Sequence, residues 1–138
     1  MAKILGVDYG DKRTGLAISD ITEFLASGIG YITPGSMTAT ADAVANEAKE
    51  RNVSKIVVGL PKNMDGSEGW RAETIRSFVS ILSEKTECEI ILYDERLSTM
   101  QAHRMLSITD IKSKKRKQVI DTLSAQIILQ NYLDSKRM

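Results

Sequence analysis

The chain is poor in the residues that staple, kink or ligate: its 138 residues hold one cysteine, one histidine, one tryptophan and two prolines. A lone thiol, Cys88, excludes an internal disulfide and fits a reducing compartment. Cys88 and His103 are single and fifteen residues apart, so no cluster of soft ligands suits zinc. Long apolar runs are missing too. Residues 56–60 and 90–93 fall far short of the ~20 residues that span a bilayer. Met1-Ala2-Lys3 leads straight into Ile4-Leu5-Gly6-Val7-Asp8, without a basic region, apolar region and cleavage site in series. The expectation is a cytoplasmic protein with no membrane segment. No linker, low-complexity tract or repeat divides the sequence, which predicts one domain over residues 1–138.

What is present is ordinary globular composition, 42% hydrophobic and 27% charged, enough for a real core. The net charge of +1 argues neither for nor against a polyanionic partner. Its distribution says more, because Lys112, Lys114, Lys115, Arg116 and Lys117 crowd into six residues.

Residues 3–9, 14–19 and 28–33 read as strands, the first two separated by the polar turn Gly10-Asp11-Lys12-Arg13 and the third stopped by Pro34-Gly35. They predict an antiparallel meander. Helical spacing of Ala41, Val44, Ala45 and Ala48 predicts a helix over about 38–51, and Ile75, Phe78, Val79 and Leu82 one over about 68–84. Between and after them lie strands at 55–60 and 89–93, the latter apolar on both faces and expected to be buried on both. A short helix over 98–106, capped by Ser98 with Gln101 in capping-box spacing, and a last helix over about 118–134 complete the series. The order βββ-α-β-α-β-α-α predicts a five-stranded mixed sheet, three antiparallel strands then two parallel ones, with helices on both faces.

Three acids stand where chemistry collects. Asp8 ends an apolar strand between Gly6 and Gly10, on the face shared by Ile4 and Gly6, where an unpaired charge is costly and the absent Cβ atoms leave room for a phosphate or metal. A turn cap would account for it as well. Asp94 and Glu95 end the last strand on opposite faces, so only one of them shares the face of Asp8. Asp121 lies above Ser124, Ala125 and Ile128 at the border of the last helix's buried face, although an acid in a first helical turn also gains from the macrodipole alone. Three carboxylates held close would repel unless cations sat between them, and oxygen-only donors suit Mg²⁺ or Mn²⁺. Two such ions activate water for phosphodiester hydrolysis.

The loop from Gly59 to Trp70 leaves a strand and enters a helix, a setting that cradles phosphates, but it lacks the phosphate-loop pattern of a nucleoside triphosphatase. Trp70, at a helix start, reads as core packing. Residues 112–117 read as a mobile cationic loop joining two helices, placed to hold backbone phosphates beside Asp121.

Four ordered motifs carry a resemblance over nearly the whole chain. They are Gly6-Val7-Asp8-Tyr9-Gly10 with Lys12-Arg13-Thr14-Gly15-Leu16-Ala17, then Val58-Gly59-Leu60-Pro61 with Met64-Asp65-Gly66-Ser67-Glu68-Gly69, then Asp94-Glu95-Arg96-Leu97-Ser98-Thr99, and Asp121 followed by Ile128-Leu129-Gln130-Asn131-Tyr132-Leu133. In these the chain resembles the YqgF (RuvX-like) family of the RNase H-like superfamily, whose members are assigned as nucleases of pre-16S ribosomal RNA and, earlier, as Holliday-junction resolvases. The resemblance implies an RNase H-like fold, a cytoplasmic location and a site for two Mg²⁺ or Mn²⁺ ions built from Asp8, one of Asp94 or Glu95, and Asp121, with Glu95 the favoured middle ligand. Many relatives in the wider superfamily carry an acid where this chain has Gly59-Leu60-Pro61, which leaves Asp65 as a further candidate.

The expected activity is metal-dependent hydrolysis of precursor 16S ribosomal RNA by a monomer or weak homodimer. Lys12, Arg13, Lys114, Lys115, Arg116 and Lys117 would contact nucleic acid. A resolvase acting on branched DNA and a non-catalytic RNA-binding assembly factor are the alternatives. An actin-like ATPase would need a second such domain to clamp its nucleotide.

Overall fold

A computed structural model of the chain describes residues 3–33, 35–94 and 113–136, with the backbone alone over 113–121. Strands β1 (Lys3–Asp8), β2 (Thr14–Ser19) and β3 (Ala26–Ile32) come first. They are followed by α1 (Met37–Glu50), β4 (Val53–Leu60), α2 (Trp70–Ser83), β5 (Glu89–Asp94) and α3 (Ser113–Lys136). The five strands form one sheet in the order β3-β2-β1-β4-β5. β1 pairs antiparallel with β2, and β2 with β3, whereas β4 is parallel to both β1 and β5. This is the expected mixed sheet, with β1 at its centre.

The alternation of side chains along β1 and β4 divides the core in two. Leu5, Val7, Ile56, Val58 and Leu60 face one side, packing with Ala41, Val44 and Ala48 of α1 and Ala72, Ile75, Phe78 and Leu82 of α2. Ile4 and Val57 face the other, packing with Ala125, Ile128, Leu129 and Leu133 of α3. Both faces of the central strands are therefore dry. β5, expected to be buried on both faces, is only half-buried from Ile90 onward.

The starts of β3 and α3 shift for physical reasons. β3 starts at Ala26 because the Ala26 amide and carbonyl bond to the side chains of Gln130 and Gln126 on α3, partners that no local pattern reveals. A bulge between Leu16 and Ala17 in the β2–β3 pairing is accommodated by Gly30 at φ 114°. α3 begins at Ser113, so residues 113–117 of the cationic run are helical and do not form the expected joining loop. Lysine and arginine are good helix formers, and a long helix propagates through them despite the unfavourable macrodipole. The expected short helix at 98–106, with His103, lies outside the described residues.

α3 packs closely on a row of small residues. Gly6 pairs with Ala17, and Ala17 with Gly28, so three adjacent strands present almost no side chain along one line of the sheet. A Cβ on Gly6 would lie 2.8 Å from Leu129 Cβ and 3.2 Å from the Ala125 carbonyl oxygen; one on Gly28 would lie 2.5 Å from Thr122 Cγ2. The two clashes differ in kind. Leu129 Cβ and the Ala125 carbonyl are fixed to the helix backbone, whereas the Thr122 methyl turns with χ1. Gly6→Ala should therefore cost about 1–3 kcal/mol by forcing helix and sheet apart. Gly28→Ala should cost about 0.5–1.5 kcal/mol for a strained rotamer. Urea unfolding midpoints of the two variants check this ordering.

Candidate active site

Asp8 is the last residue of β1 and follows Ile4 and Gly6 on the α3 side of the sheet, half-buried. The chain then turns tightly. A Cβ on Gly10 would fall 2.4 Å from the Arg13 carbonyl oxygen, so only glycine fits, and the Gly10 amide points at Thr14 Oγ1 at a long 3.5 Å. Tyr9 turns to the opposite side, where its ring stacks on Phe78 with centroids 4.4 Å apart. Burial pushes the Tyr9 phenol above its ordinary pKa, the Asp11 carboxylate adds to this, and the Arg71 guanidinium opposes it. Arg71 Nη2 also donates to the Tyr9 carbonyl oxygen at 3.3 Å, linking the start of α2 to the residue after Asp8. The catalytic candidate is thus held by sterics on both sides.

The approach at Gly6 sets where Asp121 goes. α3 runs antiparallel to β3, with Thr122 beside Gly28, Gln126 and Gln130 beside Ala26, and Lys136 paired to Glu23. It is consequently antiparallel to β1 as well. From the contact of Ala125 with Gly6, four residues back along α3 rise about 6 Å. Two residues forward along β1 rise about 6.6 Å. Those steps end at Asp121 and Asp8, and the α3 backbone brings the two positions to the same end of the same face. Ser124, three residues after Asp121, is 1% exposed, and among the described residues its hydroxyl has no hydrogen-bond partner. An unsatisfied buried hydroxyl costs about 1–3 kcal/mol.

β1, β4 and β5 are parallel and end together, at Asp8, Leu60 and Asp94. Ile91 and Tyr93 pack on the α3 side and Ile90 and Leu92 on the other. By alternation Asp94 belongs to the α1–α2 side, away from the face of Asp8. Glu95, with its side chain, lies outside the described residues, as does the side chain of Asp121. Asp65 sits in an exposed turn with Gly66 at φ 89°, and its Oδ1 accepts from the Ser67 amide at 2.9 Å and hydroxyl at 2.6 Å, which makes it a turn-forming acid. Among the described residues no three acids, histidines or cysteines are grouped to hold a metal.

Of the cationic candidates, Lys12 is exposed in the β1–β2 turn and Arg13 stands over the Tyr31 ring at 5.8 Å. Lys114, Lys115, Arg116 and Lys117 are placed by their backbone in the first turns of α3, ahead of Asp121. Helix α2 opens at Gly69 without a side-chain cap, leaving its first amides for an anion. Trp70 corrects the sequence reading: it is 67% exposed, with Arg71 over its ring at 5.8 Å. The signal was in the spacing, since Trp70 falls in line with Thr74 and Ser77 and off the stripe of Ala72, Ile75, Phe78 and Leu82. Glu68, just before this helix, accepts from Arg76 Nε and Nη2, each at 2.8 Å, which lowers its pKa.

The RuvX family model, described as Holliday junction resolvase, matches residues 2–135. A Bacillus cytotoxicus protein named "Putative pre-16S rRNA nuclease" is 48% identical over 136 residues, spanning 97% of this chain and 99% of that protein. A Bacillus cereus protein of the same name is 45% identical over the same shares. Among solved structures, the chain is similar to Thermus thermophilus RuvC in complex with Holliday junction substrate, with TM-score 0.60 and 12% identity over 99% of this chain and 96% of that one. It is also similar to the fowlpox virus resolvase in complex with substrate Holliday junction DNA, with TM-score 0.61 and 16% identity over 99% of each chain. Likeness at such low identity speaks for the fold, which is RNase H-like. The near-complete family match and the close relatives in Bacillus then decide the assignment: the chain belongs to the RuvX family of nucleases.

Proposed function

We propose that the protein is a divalent-metal-dependent endonuclease that hydrolyses phosphodiester bonds in precursor 16S ribosomal RNA, acting in the cytoplasm as a monomer or weak homodimer. The observation that carries this reading is the convergence of Asp8 and the Asp121 position at one end of the α3 face, enforced by the contact at Gly6. The names of the Bacillus relatives point the same way.

The donors at this edge suit a hard cation. Asp8 brings carboxylate oxygens, Asp121 follows from the helix step, and Glu95 follows if the alternation of β5 runs one residue further. Asp8, Glu95 and Asp121 would hold two Mg²⁺ or Mn²⁺ ions. When bound, such ions neutralise charge at the reacting phosphate and make the attacking water more acidic. The protein's own part is to hold Asp8 at the end of β1 and the Asp121 position on α3, keep one side of the edge dry through the Tyr9–Phe78 stack, and orient the strand by its phosphates. Lys12, Arg13, Lys114, Lys115, Arg116 and Lys117 serve that last role, binding backbone without reading bases.

Incubation with a ribosomal RNA precursor and with a four-way DNA junction, in Mn²⁺, Mg²⁺ or EDTA, tests the proposal. Cutting of the RNA with either metal and none in EDTA is the expected result. Asp8→Asn should lower the rate by roughly a hundred-fold or more while leaving the circular dichroism spectrum unchanged. Retained activity in that variant would remove Asp8 from the mechanism, and paired symmetric nicks in the junction would mark a resolvase instead. Charge reversal at Lys114, Lys115, Arg116 and Lys117 should weaken RNA binding and reduce the slope of log K against log salt by about 0.7 for each phosphate that is no longer neutralised. An unchanged slope would exclude them from the interface.

A further inference from the structure

Two arginine–aromatic pairs flank Asp8, and the sequence motifs assign a role to neither ring. The first follows from strand register. Asp8 pairs with Gly15, and Gly15 with Tyr31, so the carboxylate and the tyrosine lie in one row on the α3 side with no side chain between them. Two strand spacings separate them, roughly 9–10 Å. Tyr31 is 38% exposed, on the outermost strand of the sheet, and the Arg13 guanidinium stands 5.8 Å from its ring centroid. The second pair is tied to the same point from the other side. Arg71 donates to the carbonyl of Tyr9, the residue after Asp8, and covers the ring of Trp70, which is 67% exposed.

Aromatic surface left in water is unfavourable, and a guanidinium stands 5.8 Å from each ring centroid, which puts a cation beside each exposed ring. Their common position beside a carboxylate, together with the uncapped amides of α2, matches what single-stranded nucleic acid needs: flat apolar surfaces for bases, with cations and amides for phosphates. A duplex offers no such match, because its base faces are already covered by their neighbours.

We propose that Tyr31 with Arg13 and Trp70 with Arg71 form two stacking platforms that bracket the Asp8 edge and hold unpaired bases on either side of the bond to be cut. The substrate segment is then single-stranded at the cleavage point. The inference rests on the nuclease reading for its substrate class, but its own content is the choice of unpaired over paired strands.

Trp70 is the sole tryptophan, so its emission reports directly on its own platform. The 138-residue protein is titrated in EDTA, at fixed salt, with a 12-nucleotide oligoadenylate and with a 12-base-pair RNA duplex. Anisotropy of a labelled strand gives affinity and tryptophan fluorescence gives stacking. The oligoadenylate should quench Trp70 and the duplex should not. Trp70→Ala and Tyr31→Ala should each weaken single-strand binding about ten-fold, leaving duplex binding unchanged, with Trp70→Phe and Tyr31→Phe restoring most of the loss. Binding of the oligoadenylate without quenching, equal loss for strand and duplex, or no effect of Tyr31→Ala would overturn the bracket and leave the nuclease reading standing. Failure of the wild type to bind any RNA, in EDTA and with Mg²⁺ alike, would overturn both.

Discussion

The organisation of this molecule depends on one steric allowance, the close approach of α3 to the sheet over Gly28, Ala17 and Gly6. A helix packed through ordinary side chains is held off a sheet by their length, and its registration against the strands is adjustable. Here backbone meets backbone at Gly6, so the helix has one seat. That seat turns a sequence separation of more than a hundred residues into adjacency of Asp8 and the Asp121 position. Glutamine bonds from α3 to the backbone of Phe24 and Ala26 fix the helix against the outer strand as well.

A second constraint acts on the other face. Tyr9 stacks on Phe78 and is clasped by Arg71 through its carbonyl, so α2 reports its position to the residue after Asp8. The edge that carries Asp8 therefore lies where the two cores meet the C-terminal ends of β1, β4 and β5, the place where open sheets with parallel strands leave a crevice.

Much of this was readable from residue order. The strands 14–19 and the two central helices follow from hydrophobic period, and Asp8 was marked by a charge ending an apolar strand between glycines. Assignment of Asp94 to the far face needed only to know which side α3 covers, and alternation then does the rest. Trp70 was misread because residue type was weighed over helical position, and the cationic run because like charges suggest a loop while their intrinsic preference is helical.

The sequence by itself determined the order of the described elements, the mixed sheet and the acids Asp8 and Asp94 at strand ends, because these rest on local period and on the cost of leaving a charge against apolar neighbours. Tertiary structure alone decided that Gly6, Ala17 and Gly28 form one row, that α3 descends onto it, and that Tyr31 shares a line with Asp8. Such facts depend on strand register and on a bulge between Leu16 and Ala17. Register is set by the sum of contacts across the sheet, and no single stretch of chain encodes it.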